Sequence, residues 1–246
     1  MVSGWRQRSG RAGGFSLLTV LFGLSVVAVL ITASLHRMAS HHKVTGYQLR
    51  AHAEDAVWAG ALQVGGELAL ASLLEGAPPL EGARVVRVDT ASVEIAIRDA
   101  GGLVDVNTAA PDLLQRLFEG NAAQANLQQA IAGRQLEQRF HSVADFLRAI
   151  DLDPEDAGGV HAFLTVHSGR VGIHAEAAPA ALLERLIGVK ASPANPATAL
   201  PAPWRSAPTR RVFAVELQRA GQGARRGFVA VTGGTAPRVR VLATDG

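Results

Sequence analysis

The chain has 246 residues, 48% of them hydrophobic, a length that allows one or two soluble domains together with an anchor. It contains no cysteine, which excludes a disulfide framework and a thiolate zinc site and leaves the redox compartment open. The formal net charge of +3 is unevenly distributed along the chain. Both ends are basic: residues 1–50 contain six Lys/Arg and no Asp/Glu, and residues 190–246 contain nine Lys/Arg and two Asp/Glu. The middle is acidic, with three Lys/Arg and eight Asp/Glu in 51–100 and four Lys/Arg and nine Asp/Glu in 101–168.

The first predicted element is the apolar segment 15–35, which has no charged residue. A helix of that length spans roughly 30 Å, the thickness of a bilayer's hydrocarbon core, and is longer than the apolar part of a secretory signal. Arg6, Arg8 and Arg11 precede it without an acidic residue, so the positive-inside rule places the N-terminus in the cytoplasm. We therefore predict one transmembrane helix over 15–36, with everything after it on the far side of the membrane.

A Gly-Gly-Phe-Ser sequence stands at the cytoplasmic edge of this helix. A glycine followed by phenylalanine, behind a basic leader and before an apolar helix, resembles the class III signal of type IV pilins and type II secretion pseudopilins. The resemblance implies that a prepilin peptidase cleaves between Gly14 and Phe15 and that Phe15 is N-methylated. The leader 1–14 would be removed and the apolar helix kept.

The fifth residue of the predicted mature chain is Thr19, where most pilins and pseudopilins have glutamate. The K-type minor pseudopilins resemble this chain in usually lacking that acid. Thr19 in place of glutamate therefore favours the K-type subclass.

Beyond the membrane the helix is predicted to continue, because apolar residues recur at steps of four and three until "EGAPPLEG" ends the pattern. The simplest interpretation of this stripe is a helix face that packs on a sheet. The alternative is contact with a partner helix through Val57, Ala61, Val64 and Leu68.

Two groups of strands are predicted to form one antiparallel sheet. Residues 83–102 contain two β-rich runs around a turn near Asp89 to Ser92 that is too long to assign to a type, and 210–246 contain three runs separated by Gly-rich turns. The material between the two groups would then be an insertion. Residues 189–209 are rich in proline and alanine, which favours an extended loop rather than a packed element.

The middle of the chain contains an internal echo, "GGLVDVNTAAPDLLQRLFEG" and "SGRVGIHAEAAPAALLERLIG". Each copy predicts a short strand, a turn and a helix with proline near its first turn, where a missing N–H is tolerated. Between the copies, "FHSVADFLRAIDLDPED" predicts a helix that is N-capped by Ser142, with Asp145 at its third position. The fold class is therefore α+β: a long N-terminal transmembrane and amphipathic helix on a small antiparallel sheet, with an inserted helical subdomain.

This order of elements resembles that of the K-type minor pseudopilins of the type II secretion system over nearly the whole mature chain. Three motif segments carry the resemblance: Gly102, Val104, Val106, Asn107 and Ala109 in the first; Phe140, Ser142, Val143, Asp145 and Phe146 in the second; Ser168, Gly169, Ile173, Ala178 and Pro179 in the third. The boundaries that follow are 1–14 leader, 15–36 membrane helix, 37–100 pseudopilin helix and first strands, 101–188 inserted subdomain, 189–209 loop and 210–246 C-terminal strands. The chain is short for that group, so we expect a reduced insert.

The resemblance implies a structural protein without an active site, at the tip of the pseudopilus, that helps to initiate a fibre for the export of folded proteins. Its implied partners are the I- and J-type minor pseudopilins, the prepilin peptidase, the inner-membrane secretion platform and membrane lipid. Its implied place is the bacterial inner membrane, with the bulk of the chain in the periplasm.

A rival from another class is a membrane-anchored competence protein that binds DNA through a helix-hairpin-helix unit, which the inserted segment also resembles. In such units glycine-rich hairpins present backbone N–H groups to phosphates, with basic side chains nearby. Here "EGNAA" and "DLDPED" stand at those positions, and residues 101–168 have a net negative charge. We therefore predict a helical fold of this kind without nucleic-acid binding.

An anchored enzyme or metalloprotein has little support in the sequence. None of the eight histidines belongs to H-E-x-x-H, and G-x-S-x-G is absent. Asp151, Asp153 and Asp156 are weak candidates for Ca²⁺ ligands, but the full EF-hand pattern is missing. A solvated acidic helix start is the favoured interpretation, and no cofactor is expected.

Overall fold

In the computed structural model the described residues are 13–76, 82–120, 123–135, 139–152, 159–188, 200–233 and 237–245. The chain divides into two compact units, residues 1–56 and 57–246. The elements in chain order are α1 (Gly13–Leu74), β1 (Arg84–Val88), β2 (Ala91–Asp99), β3 (Val104–Asp105), α2 (Pro111–Leu117), α3 (Gln124–Gln135), α4 (Val143–Ala149), β4 (Leu164–Thr165), α5 (Ala180–Ile187), β5 (Val212–Gln218), β6 (Arg225–Thr232) and β7 (Arg238–Asp245).

The main sheet has five antiparallel strands in the order β1-β2-β5-β6-β7. The predicted α+β class and the union of the N-terminal hairpin with the three C-terminal strands are confirmed. β2 and β5 are neighbours, with Asp99 paired to Phe213, although the whole helical insert separates them in sequence. The insert therefore leaves and re-enters the sheet between two adjacent central strands.

The hairpin turn between β1 and β2 is shorter than the sequence analysis indicated. Val88 pairs directly with Ala91, so only Asp89 and Thr90 connect the strands. Asp89 has a φ of 54°, a left-handed conformation that aspartate tolerates because its short side chain can hydrogen-bond locally. The interpretation of a long turn is wrong, because the left-handed conformation of Asp89 allows a turn of two residues.

The C-terminal part of α1 packs closely on one face of the sheet. Trp58, Ala61, Leu62 and Ala69 are buried in a core whose other wall consists of β2, β5 and β6 side chains. A Cβ added at Gly65 would lie 2.6 Å from Val215 Cγ1, closer than side chains tolerate. The helix therefore needs glycine where it approaches the sheet.

The stripe predicted along α1 faces this core. Ala61 is fully buried, while Val57, Val64 and Leu68 are half-buried against the same cluster. Ala61 therefore has no surface to offer a partner, and a partner contact of this stripe is restricted to the exposed parts of the other three residues. The sheet covers the buried side of the stripe, and contact of a partner helix with Val57, Val64 and Leu68 stays a prediction.

The insert has its own hydrophobic core, formed by α2 to α5 and the two-stranded parallel pair β3 and β4. At its centre Phe146 makes edge-to-face contacts with Phe118 and Phe140, at centroid distances of 5.9 and 5.2 Å. Pro111 opens α2 and Pro179 caps α5, as the internal echo predicted. The second copy differs from the first because its Ile173 pairs with Arg205 rather than with a strand of the insert.

The end of the Pro/Ala-rich segment is packed, contrary to the expectation of a wholly extended loop. Residues 189–199 lie outside the described part of the chain. Leu200 is buried in the core of the insert and Trp204 packs against it. Trp204 Nε1 also donates to Asp112 Oδ2 at 2.8 Å. Composition predicted a loop because two large apolar residues among prolines and alanines are too few to form a periodic pattern.

The N-terminal unit contains the predicted membrane helix. Residues 1–12 of the predicted leader 1–14 lie outside the described residues, and residues 13–56 are helical. The described side chains from Val20 to Val27 are exposed, among them Phe22 at 69%. By length and composition, the described stretch that qualifies as a membrane span is instead Ala51–Leu74. From Val57 onward that stretch packs on the sheet as a core helix. The exposed branched side chains near Val20 therefore mark the N-proximal helix as the part suited to lipid.

Candidate functional site

The three motif segments singled out in the sequence meet at one place in the insert. We name this place the motif junction and define it by Asp105, Asn107, Phe140, Ser168 and Gly169. Asn107 joins the first segment to the second through two hydrogen bonds with the backbone of Phe140. Asn107 Nδ2 donates to the Phe140 carbonyl at 3.0 Å, and the Phe140 N–H donates to Asn107 Oδ1 at 2.8 Å.

Asp105 joins the first segment to the third. Its side chain is buried, and its Oδ2 accepts hydrogen bonds from the Gly169 N–H at 2.7 Å and from Ser168 Oγ at 3.3 Å. Its Oδ1 accepts from the Asn107 N–H at 2.9 Å. A buried carboxylate is stable only when donors satisfy it, so these three donors fix the position of β3 against the Ser-Gly turn.

Arg134 brings α3 to the same place. Its Nη1 donates to the Val106 carbonyl at 3.0 Å and its Nη2 to the Ala109 carbonyl at 2.7 Å. Partial burial lowers the pKa of Arg134, while the nearby Asp105 carboxylate opposes that shift. The guanidinium therefore acts as a charged clamp on the two carbonyls and balances the buried charge of Asp105.

A second carboxylate fixes the insert to the sheet. Asp99, at the end of β2, is 3% exposed. Its Oδ1 accepts from the Gly101 N–H and from both the N–H and Oγ1 of Thr209, and its Oδ2 accepts from the Arg210 N–H. These four donors, at 2.7 to 2.9 Å, come from the two ends of the insert. Asp99 therefore holds together the two chain segments through which the insert leaves and re-enters the sheet.

Gly102 allows another close contact at the base of the insert. A Cβ added there would lie well inside van der Waals contact with the Ala177 carbonyl oxygen. The neighbouring Gly101 carbonyl accepts a hydrogen bond from the His174 N–H at 2.6 Å. The glycine of the first motif segment is therefore a packing requirement, because backbone of the third segment occupies the space of a side chain.

The predicted N-cap of α4 is confirmed. Ser142 Oγ accepts from the Asp145 N–H at 3.0 Å. Hydrogen bonding from Ser142 lowers the pKa of the exposed Asp145 carboxylate, and the Arg148 charge adds to this shift. A lowered folded pKa means that the contribution of Asp145 is present above its unfolded pKa and is lost as the pH falls through the folded value.

We expect Ser142→Ala to destabilise the insert by about 1 kcal/mol, the usual loss for an N-cap serine. The pKa of Asp145 should rise toward its ordinary value, because the hydroxyl that shifts it most is removed. Thermal unfolding and an NMR titration of Asp145 measure the two effects. Ser206→Ala, outside the helix caps, is the control, and an unchanged Asp145 titration in Ser142→Ala would contradict the capping argument.

An open cleft lies beside the motif junction. It has a volume of about 420 Å³ and is lined by Asp105, Asn107, Thr108, Arg139, Phe140, His141, Val166, His167 and Gly169. The polar groups at its base are used for structure: Asp105 and Asn107 in the bonds above, and Thr108 Oγ1 as a donor to the Arg170 carbonyl at 2.7 Å. The arrangement holds three chain segments together and supplies no activated nucleophile–base pair among these three residues.

The weak metal candidates are not brought together in the described part of the chain. Asp151 is exposed, with a φ of 56°, while Asp153 and Asp156 lie outside the described residues. Within the described ranges no group of three or more His, Cys, Asp or Glu side chains is arranged to hold a metal ion. The calcium interpretation stays a prediction.

The predicted processing residues lie at the start of α1. Gly14, Phe15 and Thr19 are helical in their backbone, and the side chains of Phe15 and Thr19 are outside the described part. The cleavage between Gly14 and Phe15 therefore also stays a prediction.

Sequence reasoning missed the roles of Asp99 and Arg134 and named Asp105 nowhere. Apart from the local donors Gly101 and Asn107, their partners are 25 to 111 residues away, so periodicity does not reveal them. One signal was available for Asp105, an acidic residue directly between Val104 and Val106, which the structure buries. A carboxylate in such a position needs several donors and is a candidate for a structural clamp.

Comparison with known proteins supports the fold. No protein-family profile and no curated protein matches the chain. Among solved structures, the chain is similar to a chain in the crystal structure of the GspK–GspI–GspJ complex from the type 2 secretion system of enterotoxigenic Escherichia coli. The TM-score is 0.54 at 12% identity, over 81% of this chain and 98% of that chain. The chain has a pseudopilin-like fold.

Proposed function

We propose that this chain is a K-type minor pseudopilin of a type II secretion system, located at the tip of the pseudopilus. It would initiate assembly of the fibre together with I- and J-type minor pseudopilins and so assist the export of folded proteins. Prepilin peptidase would process it, and the secretion platform of the inner membrane would receive it. The bulk of the chain would lie in the periplasm, with the N-terminus of the precursor in the cytoplasm.

The observation that carries the proposal is the helical insert between β2 and β5 of a pseudopilin-like fold. The three motif segments that resemble the K-type pattern were chosen from sequence alone, and the structure joins them at the motif junction through direct hydrogen bonds. Asn107, Phe140, Ser168 and Gly169 each make a hydrogen bond that joins two of the segments, so the motif residues at the junction fix how the insert folds. The similar solved chain belongs to a complex of three type 2 secretion proteins, which supports partners of the same kind.

Thr19 supports the place at the tip. In the families that the chain resembles, the fifth-position glutamate meets the free amine of a neighbouring subunit inside the bilayer. An unpaired charge there costs several kcal/mol. A subunit at the tip has no predecessor to supply that amine, so a neutral residue avoids the cost.

DNA binding of the competence type is not part of the proposal. The four basic and nine acidic residues of 101–168 give the insert the wrong sign for a polyanion. Of the basic residues of the insert, the half-buried Arg134 already donates hydrogen bonds to the carbonyl oxygens of Val106 and Ala109, so these bonds compete with contact to a phosphate.

Co-purification tests the proposed function. The full-length chain, expressed with the I- and J-type minor pseudopilins of its own secretion system, is expected to be recovered with both, and labelling should place it at one end of the fibre. Thr19→Glu is expected to leave assembly unchanged or to weaken it, and Thr19→Val is the neutral control. Unmodified protein distributed along the fibre shaft would contradict the tip assignment, and recovery without either partner would contradict the function.

A further inference from the structure

β7 is one of the two edge strands of the main sheet. Over Arg238–Asp245 it pairs with β6 on one side, and no described strand pairs with its other side. An edge strand presents a row of backbone N–H and C=O groups that can template a further strand. At eight residues β7 is long for an edge, whereas the opposite edge, β1, has five.

The side chains of β7 alternate in chemistry between the two faces of the sheet. Val239 packs in the core under α1, and Val241 pairs with the core residue Val229, so both valines lie on the helix face. Arg238 and Arg240 therefore lie on the outer face, and both are exposed. Val241 is 41% exposed, so the apolar surface on the helix face ends at this edge without full cover.

β1 differs from β7 in a way that distinguishes a protected edge from an open one. Arg84 pairs with the core residue Ile95, which places this arginine on the helix face. A charge directed toward the apolar side of a sheet disfavours an added strand. β7 has no charge on that face in the part that carries Val239 and Val241.

The two outer arginines of β7 have no carboxylate of their own chain within the described residues. None of the ion pairs there includes Arg238 or Arg240. The region 190–246 has only two acidic residues, of which Glu216 pairs with Arg98 and Asp245 lies at the far end of β7. The positive charge along this edge is therefore available to an acidic partner.

We propose that β7 binds an extended segment of another protein as a sixth strand, and that this segment alternates carboxylates with branched apolar residues. Its carboxylates would lie opposite Arg238 and Arg240 on the outer face, and its apolar side chains would cover Val241 and extend the core on the helix face. Opposite charges directly across two strands stabilise the pair, and like charges destabilise it. A second copy of β7 complements the edge less well: in parallel register it places arginines opposite arginines, and in the antiparallel register that overlaps the whole strand it offers Asp245 to Arg238 but only Ala243 to Arg240. The inference is independent of the proposed function.

Disulfide trapping tests the inference, and the cysteine-free sequence makes the trap specific. The full-length chain in lipid nanodiscs carries Val241→Cys, and the probe is an acetylated peptide of alternating valine and glutamate in which one position at a time is cysteine. We expect trapping when cysteine replaces a valine and not when it replaces a glutamate, because only one face of the added strand meets position 241. The control chain carries Val85→Cys on β1 and should show no such alternation.

A charge exchange completes the test. Arg238→Glu combined with Arg240→Glu, in the Val241→Cys chain, should slow trapping of the glutamate peptide by about tenfold or more, since two attractive pairs become repulsive. A valine–lysine peptide should be trapped faster by this variant than by its parent. Equal trapping on both peptide faces would show a nonspecific attraction and overturn the inference, as would equal trapping by the β1 control. Val241→Cys chains that are trapped mainly with each other would also overturn it.

Discussion

Gly14→Leu is expected to leave the chain as an unprocessed precursor that still begins at Met1. The resemblance to class III signals implies cleavage after this glycine, and a residue without a Cβ lets the peptidase approach the backbone closely. A branched side chain at this position blocks that approach, so the loss of processing should be complete. The unmodified protein, recovered from cells that contain the peptidase, should begin at Phe15 and carry one additional methyl group on its amine.

N-terminal sequencing and intact mass measure this result directly. Gly10→Leu, in the leader but away from the predicted bond, is the matched control and should be processed normally. A mature chain that begins near Ala39, or unmodified protein that keeps its leader in the presence of the peptidase, is incompatible with a pseudopilin. Failure of this prediction would remove the proposed function and leave the β7 inference standing.

Asp105→Ala is expected to lower the stability of the insert by about 3 kcal/mol, because three donors lose a buried charged acceptor at once. The Arg134 guanidinium would also remain partly buried beside an empty space. The loss should be largest at the contact between the first and third motif segments.

Hydrogen exchange of the full-length chain in detergent measures the effect locally. The amides of Asn107 and Gly169, which donate to Asp105, should exchange about 100-fold faster in Asp105→Ala, the equivalent of the expected free-energy change. Glu184→Ala, an exposed carboxylate on α5, is the control and should change exchange little. Protection of Asn107 and Gly169 that remains within about fivefold of the parent would show that Asp105 is not the clamp described here.

Local features of the fold could be read from the sequence because their causes are local. The Ser142 cap depends on residues three positions apart, and the strands of the main sheet depend on runs of β-branched residues. The periodic stripe of α1 predicted a face to be covered. The pattern did not show which element packs on that face, since a sheet and a partner helix require the same apolar spacing on the helix.

The features that the sequence did not predict depend on distant contacts. Leu200 and Trp204 are packed because the insert offers them a core, and nothing in their Pro/Ala-rich neighbourhood shows that core. The clamps made by Asp99 and Asp105 join residues up to 111 positions apart. Motif resemblance located the segments that meet at the motif junction, but only the structure shows that an acid from the first and a glycine from the third make the contact.

The adjacency of β2 and β5 has a consequence for the order of folding. Asp99 bonds to Thr209, 110 residues later, and closing a flexible loop of that length costs about 4 kcal/mol of chain entropy. If the insert collapses first, its two ends are already close, and most of that entropy is lost before the central strands meet. The insert would then act as the folding nucleus of the sheet, so weakening it should slow refolding of β5 to β7, far from the altered residue.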